Sequence, residues 1–93
     1  MNKAELIKAL ANEARLSDHE AGDVVKSFFS MVQQSLVEGD RVEIRGLGSF
    51  KVKHYRGYKG RNPKSGESVA VEPKVLPVFR PGKELKDMVN KDL

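Results

Sequence analysis

Hydrophobic residues recur at helical spacing near the start of the chain. Leu6, Ile7 and Leu10 fall on one face of a predicted helix. Asn2 stands before this helix as a capping residue, and Glu5 occupies the capping-box position three residues later. The pattern predicts an amphipathic first helix that begins directly after Asn2.

A second and longer helical pattern follows the first. Ser17 and Glu20 form another capping box, and Gly39 is the type of residue that commonly ends a helix. Phe28 and Phe29 point about 100° apart on a helix, so we expect one ring to cover the chain's own core and the other to face elsewhere. Because so short a chain has little else to cover a second apolar face, the pattern predicts a dimer with an identical chain or a close paralogue.

After the second helix the spacing changes from helical to alternating. Val42 and Ile44 share one face of a short strand, and Phe50 and Val52 face inward on the next. Residues 46–48, with the sequence Gly-Leu-Gly, make a tight connection between the two. This pattern predicts a hairpin with one buried and one charged face.

The second strand of this hairpin continues beyond the length of its partner. Residues 52–60 are predicted to pair with residues 67–76, which leaves residues 61–66 as the tip of an arm. Pro73 and Pro77 remove hydrogen-bond donors from the later strand, which suits an edge strand or a bulge. The alternation therefore predicts a two-stranded arm that extends from the sheet.

The predicted elements together define an α+β fold. Its components are two N-terminal helices, an antiparallel sheet with a protruding β-arm, and a short C-terminal helix that begins after Pro81. We expect one domain over residues 1–93, divided into a helical dimerisation part at 1–40, the sheet at 41–80 with its arm at about 52–76, and the C-terminal helix at 81–93.

Charge is distributed unevenly along this chain, whose net charge is +4. Residues 1–40 hold 4 Lys or Arg against 7 Asp or Glu, whereas residues 41–93 hold 13 against 6. The 14 residues from Lys51 to Lys64 contain six of these basic residues and no acidic one. A segment this cationic is too costly to bury, so the predicted arm is expected to bind a polyanion.

Several classes of protein are disfavoured by what the sequence does not contain. There is no cysteine, so disulfides and thiolate metal sites are excluded. His19 and His54 lie too far apart for a local metal motif, and no nucleophile, base and orienting group can be assembled into a catalytic site. Apolar runs are too short for a membrane span or a signal peptide. We expect a soluble intracellular protein that is not an enzyme, with no metal, cofactor, small-molecule substrate or membrane partner.

Three stretches of the sequence resemble the bacterial HU/integration host factor family. They are RGLGSF at 45–50, GRNPKSGE at 60–67 and VFRPGKELK at 78–86. The second is the most specific, because it coincides with the predicted arm tip, and the similarity extends over the whole chain. Glu43-Ile44-Arg45 and His54-Tyr55-Arg56 favour integration host factor over HU. Leu47 stands where the family usually has Phe.

The resemblance implies an intertwined dimer in which the two N-terminal helices form the dimer base, the three-stranded antiparallel sheets form a saddle, and two protruding β-arms embrace DNA. Pro63 would be the apolar wedge that enters between base pairs from the minor groove, as is already described for architectural proteins of this family. Arg61, Asn62 and Lys64 would line the groove beside it. The implied DNA-contacting residues are Lys3, Arg45, Lys53, Arg56, Lys59, Arg61, Asn62, Pro63, Lys64, Arg80, Gly82, Lys83 and Lys86. The expected interface and core residues are Phe28, Phe29, Val32, Leu36, Leu47, Phe50 and Phe79.

The function implied by the resemblance is architectural. The chain would bend double-stranded DNA, with a preference for bent or distorted duplexes, in nucleoid compaction and in the assembly of recombination, replication and transcription complexes. It would be cytoplasmic and associated with the nucleoid. Two alternatives use the same basic arm: RNA binding with Tyr55 and Tyr58 stacked on unpaired bases, and an assembly protein whose arm enters a partner's acidic groove.

Overall fold

The computed structural model describes residues 1–92, so Leu93, which closes the predicted C-terminal helix range 81–93, lies outside the described residues. Over residues 1–92 the chain forms three α-helices and five β-strands, and the predicted α+β class is confirmed. The contacts divide the chain into two compact units, one that ends at Ser35 and one that begins at Leu36. The elements are α1 (Lys3–Ala14), α2 (Asp18–Val37), β1 (Val42–Ile44), β2 (Gly48–Tyr55), β3 (Tyr58–Arg61), β4 (Ser68–Val71), β5 (Lys74–Pro81) and α3 (Lys83–Val89).

Side-chain hydrogen bonds fix the start of both N-terminal helices. The Oδ1 atom of Asn2 accepts from the backbone N–H of Glu5 at 2.9 Å. Ser17 and Glu20 bond reciprocally: the Ser17 N–H donates to Glu20 Oε1 and the Glu20 N–H donates to Ser17 Oγ, both at 3.0 Å. These bonds satisfy amide donors that have no partner within the helix, so both predicted caps are confirmed.

The helical unit has a very small core. Its buried hydrophobic residues are Ala11, Ala21 and Val25. Phe28 and Phe29 pack against each other with ring centroids 5.8 Å apart, yet they remain 42% and 38% exposed. The expectation that one ring covers the chain's own core is therefore wrong. A pair of helices forms a single layer, which covers a ring on one side only. A second layer has to pack against it before the ring is enclosed in a core.

The main sheet has the strand order β1-β2-β5, with both neighbouring pairs antiparallel. Val42 lies opposite Phe50, and Phe50 lies opposite Phe79. The ring centroids of Phe50 and Phe79 are 4.9 Å apart. The connection between β1 and β2 requires glycine at two positions. Gly46 has a φ of +88°, and a Cβ on Gly48 would collide with the carbonyl oxygen of Arg80.

The arm is built from two ladders rather than one. The β2–β5 ladder ends at the pair Tyr55 and Lys74, and a separate β3–β4 hairpin begins at the pair Tyr58 and Val71. Residues 56–57 and 72–73 lie between them, so the predicted continuous pairing of 52–60 with 67–76 is interrupted there. The two strands nevertheless approach closely at the interruption, because a Cβ on Gly57 would lie 2.9 Å from the Cδ of Pro73.

Candidate nucleic-acid interface

Backbone hydrogen bonds and one side chain hold the tip of the arm. The N–H of Asn62 donates to the carbonyl of Glu67 at 2.8 Å, and the N–H of Gly66 donates to the carbonyl of Asn62 at 2.7 Å. The Oδ1 atom of Asn62 accepts from the N–H of Lys64 at 2.9 Å, a local turn bond typical of asparagine. Pro63 lies between the residues joined by this bond and is exposed. The turn therefore presents the Pro63 ring to solvent on a fixed backbone.

One face of the β3–β4 hairpin is cationic. Lys59 lies opposite Ala70, and Arg61 lies opposite Ser68. Residues directly opposite each other in an antiparallel pair project to the same face, so these four residues share one face of the ribbon. Because Ala70 and Ser68 are small, the two long cations dominate it. We call this set, Lys59, Arg61, Ser68 and Ala70, the cationic face.

At the base of the arm one aromatic ring holds two lysines. The Nζ atom of Lys53 lies 5.3 Å from the ring centroid of Tyr55, and that of Lys74 lies 5.8 Å from it. Both distances are within the range of a cation–π interaction. Lys53 precedes Tyr55 by two residues on β2, whereas Lys74 lies directly opposite it on β5. The sequence prediction included Lys53 but missed Lys74, whose position depends on the register of β2 against β5.

Three of the residues predicted to contact DNA meet at the other end of the main sheet. Arg45, Arg80 and Gly82 line an open cleft of about 280 Å³ together with Glu43 and Ser49. The N–H of Gly82 donates to the Leu47 carbonyl at 3.0 Å, so this amide is already engaged. The Gly82 amide is therefore not available to an anion in the cleft, and Arg45 and Arg80 are the basic residues that line it.

The remaining predicted residues lie elsewhere. Lys3 is the first residue of α1 and belongs to the helical unit. Arg56 lies in the interruption between the two arm ladders. Lys83 and Lys86 are exposed on α3, where Lys83 approaches the carboxylate of Asp87 at 4.0 Å across the helix surface. An exposed pair of this kind contributes little to stability, so it leaves Lys83 available for another anion.

The expected interface and core residues are only partly covered within the chain. Phe28, Phe29, Leu47 and Phe79 each expose more than a third of their surface, with Phe79 43% exposed. Val32, Leu36 and Phe50 are half-buried. Across residues 1–92 there is no group of three His, Asp or Glu side chains placed to hold a metal ion. None of the described helices is long and apolar enough to cross a membrane.

Comparison with known proteins identifies the family of this chain. Residues 1–90 match the model of the bacterial DNA-binding protein family. The chain belongs to this family. It is 46% identical over 94 residues to the integration host factor subunit beta of Ectopseudomonas mendocina, with 99% of this chain and 98% of that protein covered. It is 51% identical over 92 residues to the same subunit of Xanthomonas campestris, with 97% and 88% covered.

Solved structures of HU are similar to this chain as well. An Anabaena HU–DNA cocrystal structure matches with a TM-score of 0.85 at 31% identity, covering 96% of this chain and 97% of that one. HU from Thermotoga maritima matches with a TM-score of 0.68 at 28% identity, covering 96% and 98%. The predicted family is confirmed, and the chain is a DNA-binding architectural protein rather than an enzyme.

Proposed function

We propose that this protein binds the minor groove of duplex DNA as a dimer and bends the duplex with its two arms. The observation that carries the proposal is the position of Pro63, exposed at the apex of a hairpin next to a cationic face. A proline ring is rigid and carries no N–H donor. It can therefore enter between stacked base pairs without leaving a polar group unsatisfied, while Lys59 and Arg61 neutralise neighbouring phosphates.

The exposed surface of the chain supports the dimer. Apolar side chains of the helical unit are exposed: Val24 is 51% exposed and Met31 64% exposed on α2, in addition to the phenylalanines of this unit. A second copy, or a close paralogue, would cover this surface. The dimer would be obligate, because neither compact unit buries a large side chain fully among the described residues.

Phosphate contacts are proposed to supply most of the affinity. If the dimer neutralises about six phosphates, the logarithm of the binding constant should fall with the logarithm of salt concentration at a slope near −5. Sequence preference is expected to be weak, because the edges of base pairs in the minor groove carry a degenerate pattern. Bent or distorted duplexes are favoured, since part of the deformation energy has already been supplied.

The cellular role that follows from bending is architectural. A sharp bend brings distant sites on one duplex together, which would serve nucleoid compaction and the assembly of recombination, replication and transcription complexes. The protein would act in the cytoplasm, on the nucleoid. Its family membership and its likeness to integration host factor subunit beta and to HU support this proposal.

The wedge is tested by measuring the bend directly. A duplex labelled at both ends reports bending as energy transfer, and Pro63→Ala is expected to reduce the change in transfer more than it reduces affinity. Ser65→Ala is the matched control, because Ser65 lies at the same tip and its hydroxyl accepts only a long 3.3 Å bond from the Glu67 N–H. An unchanged bend with Pro63→Ala would contradict the wedge.

A further inference from the structure

The arm has a second face with different chemistry. Tyr58 lies opposite Val71 and Gly60 lies opposite Val69, so these four residues share the side of the ribbon that faces away from the cationic face. A Cβ on Gly60 would lie 3.5 Å from the Cε2 atom of Tyr58, which means that the tyrosine ring extends over Gly60. Tyr58 is 64% exposed and Val69 is 45% exposed. We call this set, Tyr58, Gly60, Val69 and Val71, the apolar face.

The apolar face is too small for a stable protein interface of its own. It comprises two residue pairs of a hairpin whose strands are four residues long, whereas a specific protein interface buries about 1,000 Å² or more. Its polar side-chain group is the Tyr58 hydroxyl. The apolar face and the cationic face are the two opposite sides of the same two-stranded ribbon. If this ribbon lies in a groove of a polyanion, one wall of the groove contacts the cationic face and the other wall contacts the apolar face.

The two faces match different parts of a nucleic-acid backbone. Lys59 and Arg61 are complementary to phosphate oxygens. The apolar face is complementary to the carbon edges of the sugars. In DNA these edges carry no hydroxyl at C2′, whereas in RNA each sugar displays a 2′-hydroxyl in the minor groove. A hydroxyl placed against valine methyl groups would lose hydration and find no partner there.

We propose that the apolar face makes the arm selective for deoxyribose over ribose. Val69, Val71 and the Tyr58 ring pack against C2′ edges in the groove, and a 2′-hydroxyl at those edges weakens binding. The inference rests on the minor-groove binding proposed above and adds the sugar to what is recognised. It also gives a physical reason why the same basic arm should discriminate against RNA, although its charge alone would attract both polymers.

The test places single ribonucleotides, one position at a time, in one strand of an otherwise all-DNA duplex that the full-length protein binds. Wild-type affinity is expected to fall about fivefold to tenfold at the sugars that contact the apolar face, and to change little elsewhere. The variant Val69→Thr/Val71→Thr keeps the shape and strand preference of both side chains but supplies a hydroxyl for hydrogen bonding. It is expected to lose most of this ribonucleotide penalty.

Ala70→Thr is the matched control. It adds the same hydroxyl to the same strand on the cationic face, so the ribonucleotide penalty should remain as in the wild type. The selectivity is overturned if the wild-type protein shows no position-dependent penalty, or if Val69→Thr/Val71→Thr retains it in full. It is also overturned if that variant changes the mass of the DNA-free protein and leaves the penalty unaltered, because the face would then serve a contact between copies.

Failure of the underlying minor-groove proposal is recognised separately. A small minor-groove ligand is titrated against the wild-type complex with all-DNA duplex. If the ligand does not displace the protein, the minor-groove mode is wrong and the sugar inference falls with it. If the ligand displaces the protein but the ribonucleotide penalty is the same in the variant and the wild type, the sugar inference alone is wrong.

Discussion

The helical unit, residues 1–35, and the arm hairpin, residues 58–71, both present surface that calls for a binding partner, but the surfaces differ in kind. The helical unit exposes apolar side chains, with Phe28 42% and Met31 64% exposed. The arm exposes cations on one face and a proline at its tip. Burial of apolar surface depends little on salt, whereas phosphate neutralisation depends on it steeply. The two regions should therefore respond to different perturbations.

The largest effect is expected in the helical unit. Phe28→Ala removes a ring that the proposed partner chain would bury, at a cost of about 3 kcal/mol for each protomer. The dimer should dissociate at concentrations at which the wild type stays paired, and DNA bending should be lost with it. Sedimentation or light scattering across a dilution series measures the change.

Lys26→Ala is the matched control for Phe28→Ala, since Lys26 is exposed on the same helix. It should leave the association of the two chains unaltered. If both variants dissociated at the same concentration, the proposal that the Phe28 ring is buried between the two chains would be contradicted.

The next effect concerns charge on the arm. Arg61→Gln removes one phosphate contact from each arm, so the salt slope of DNA binding should become shallower by about 2 for a dimer. Association between the protein chains should not change. Lys26→Gln removes the same charge from the helical unit and should leave the slope as it is. Equal slopes for Arg61→Gln and the wild type would mean that the cationic face does not contact phosphates.

A smaller effect is expected where the two arm ladders meet. Alanine at Gly57 would place its Cβ 2.8 Å from the Val71 carbonyl oxygen, so the strands must move apart at a cost of about 1–3 kcal/mol. Amide exchange in β3 and β4 should quicken while the helical unit is unaffected. Gly60→Ala is the control, because its Cβ would be in ordinary contact, 3.5 Å from Tyr58. Equally fast exchange in both variants would contradict a close approach at Gly57.

The smallest effect is at the cap of α2. Ser17→Ala removes the hydroxyl that accepts from the Glu20 N–H and should lower the melting temperature by about 5 °C. The hydrogen bond that Glu20 accepts from the backbone N–H of Ser17, and then its bond with the Ser17 side chain, lower the pKa of this carboxyl from the usual 4.5. Since the folded-state pKa is depressed, the associated stability is present above pH 4.5 and is lost as the pH falls through the lower folded value.

This pH dependence can be checked by thermal melts of the wild type and of Glu20→Gln. The stability difference between the two proteins should be largest near neutral pH and should shrink in acid. A difference that stays constant from pH 7 to below the folded pKa would show that the carboxylate charge does not stabilise the cap.

The parts of the fold that depend on neighbours in sequence were predictable. Asn2 with Glu5, and Ser17 with Glu20, form their caps within one helical turn, and the Gly46–Gly48 connection joins adjacent strands. The interruption of the arm at residues 56–57 was not predicted, since it depends on how Gly57 packs against the opposite strand. Nor was Arg15, which ends α1 in a left-handed conformation with a φ of +55° where glycine would be expected.

The same distinction applies to the candidate site. The basic residues and the arm tip could be predicted without a structure, because they were identified by the density of positive charge and by the motif at residues 60–67. Lys74 was missed because its role depends on a register in which it lies opposite Tyr55. The partition of the hairpin into a cationic and an apolar face likewise depends on which residues are opposite, and a shift by one residue would exchange the faces. That neither Phe28 nor Phe29 is fully buried within the chain was evident only from the structure.

The central claim is that the helical unit holds the dimer together through apolar contacts whereas the arm binds DNA through charge. Its most direct test is a single salt titration in which two quantities are measured on the same sample. Light scattering reports the mass of the protein, and anisotropy of a labelled duplex reports DNA binding. We predict that the mass remains that of a dimer up to about 1 M salt, where screening is nearly complete, while DNA binding is lost steeply at lower salt. Dissociation of the dimer together with the DNA would contradict the account, as would a DNA affinity that does not change with salt.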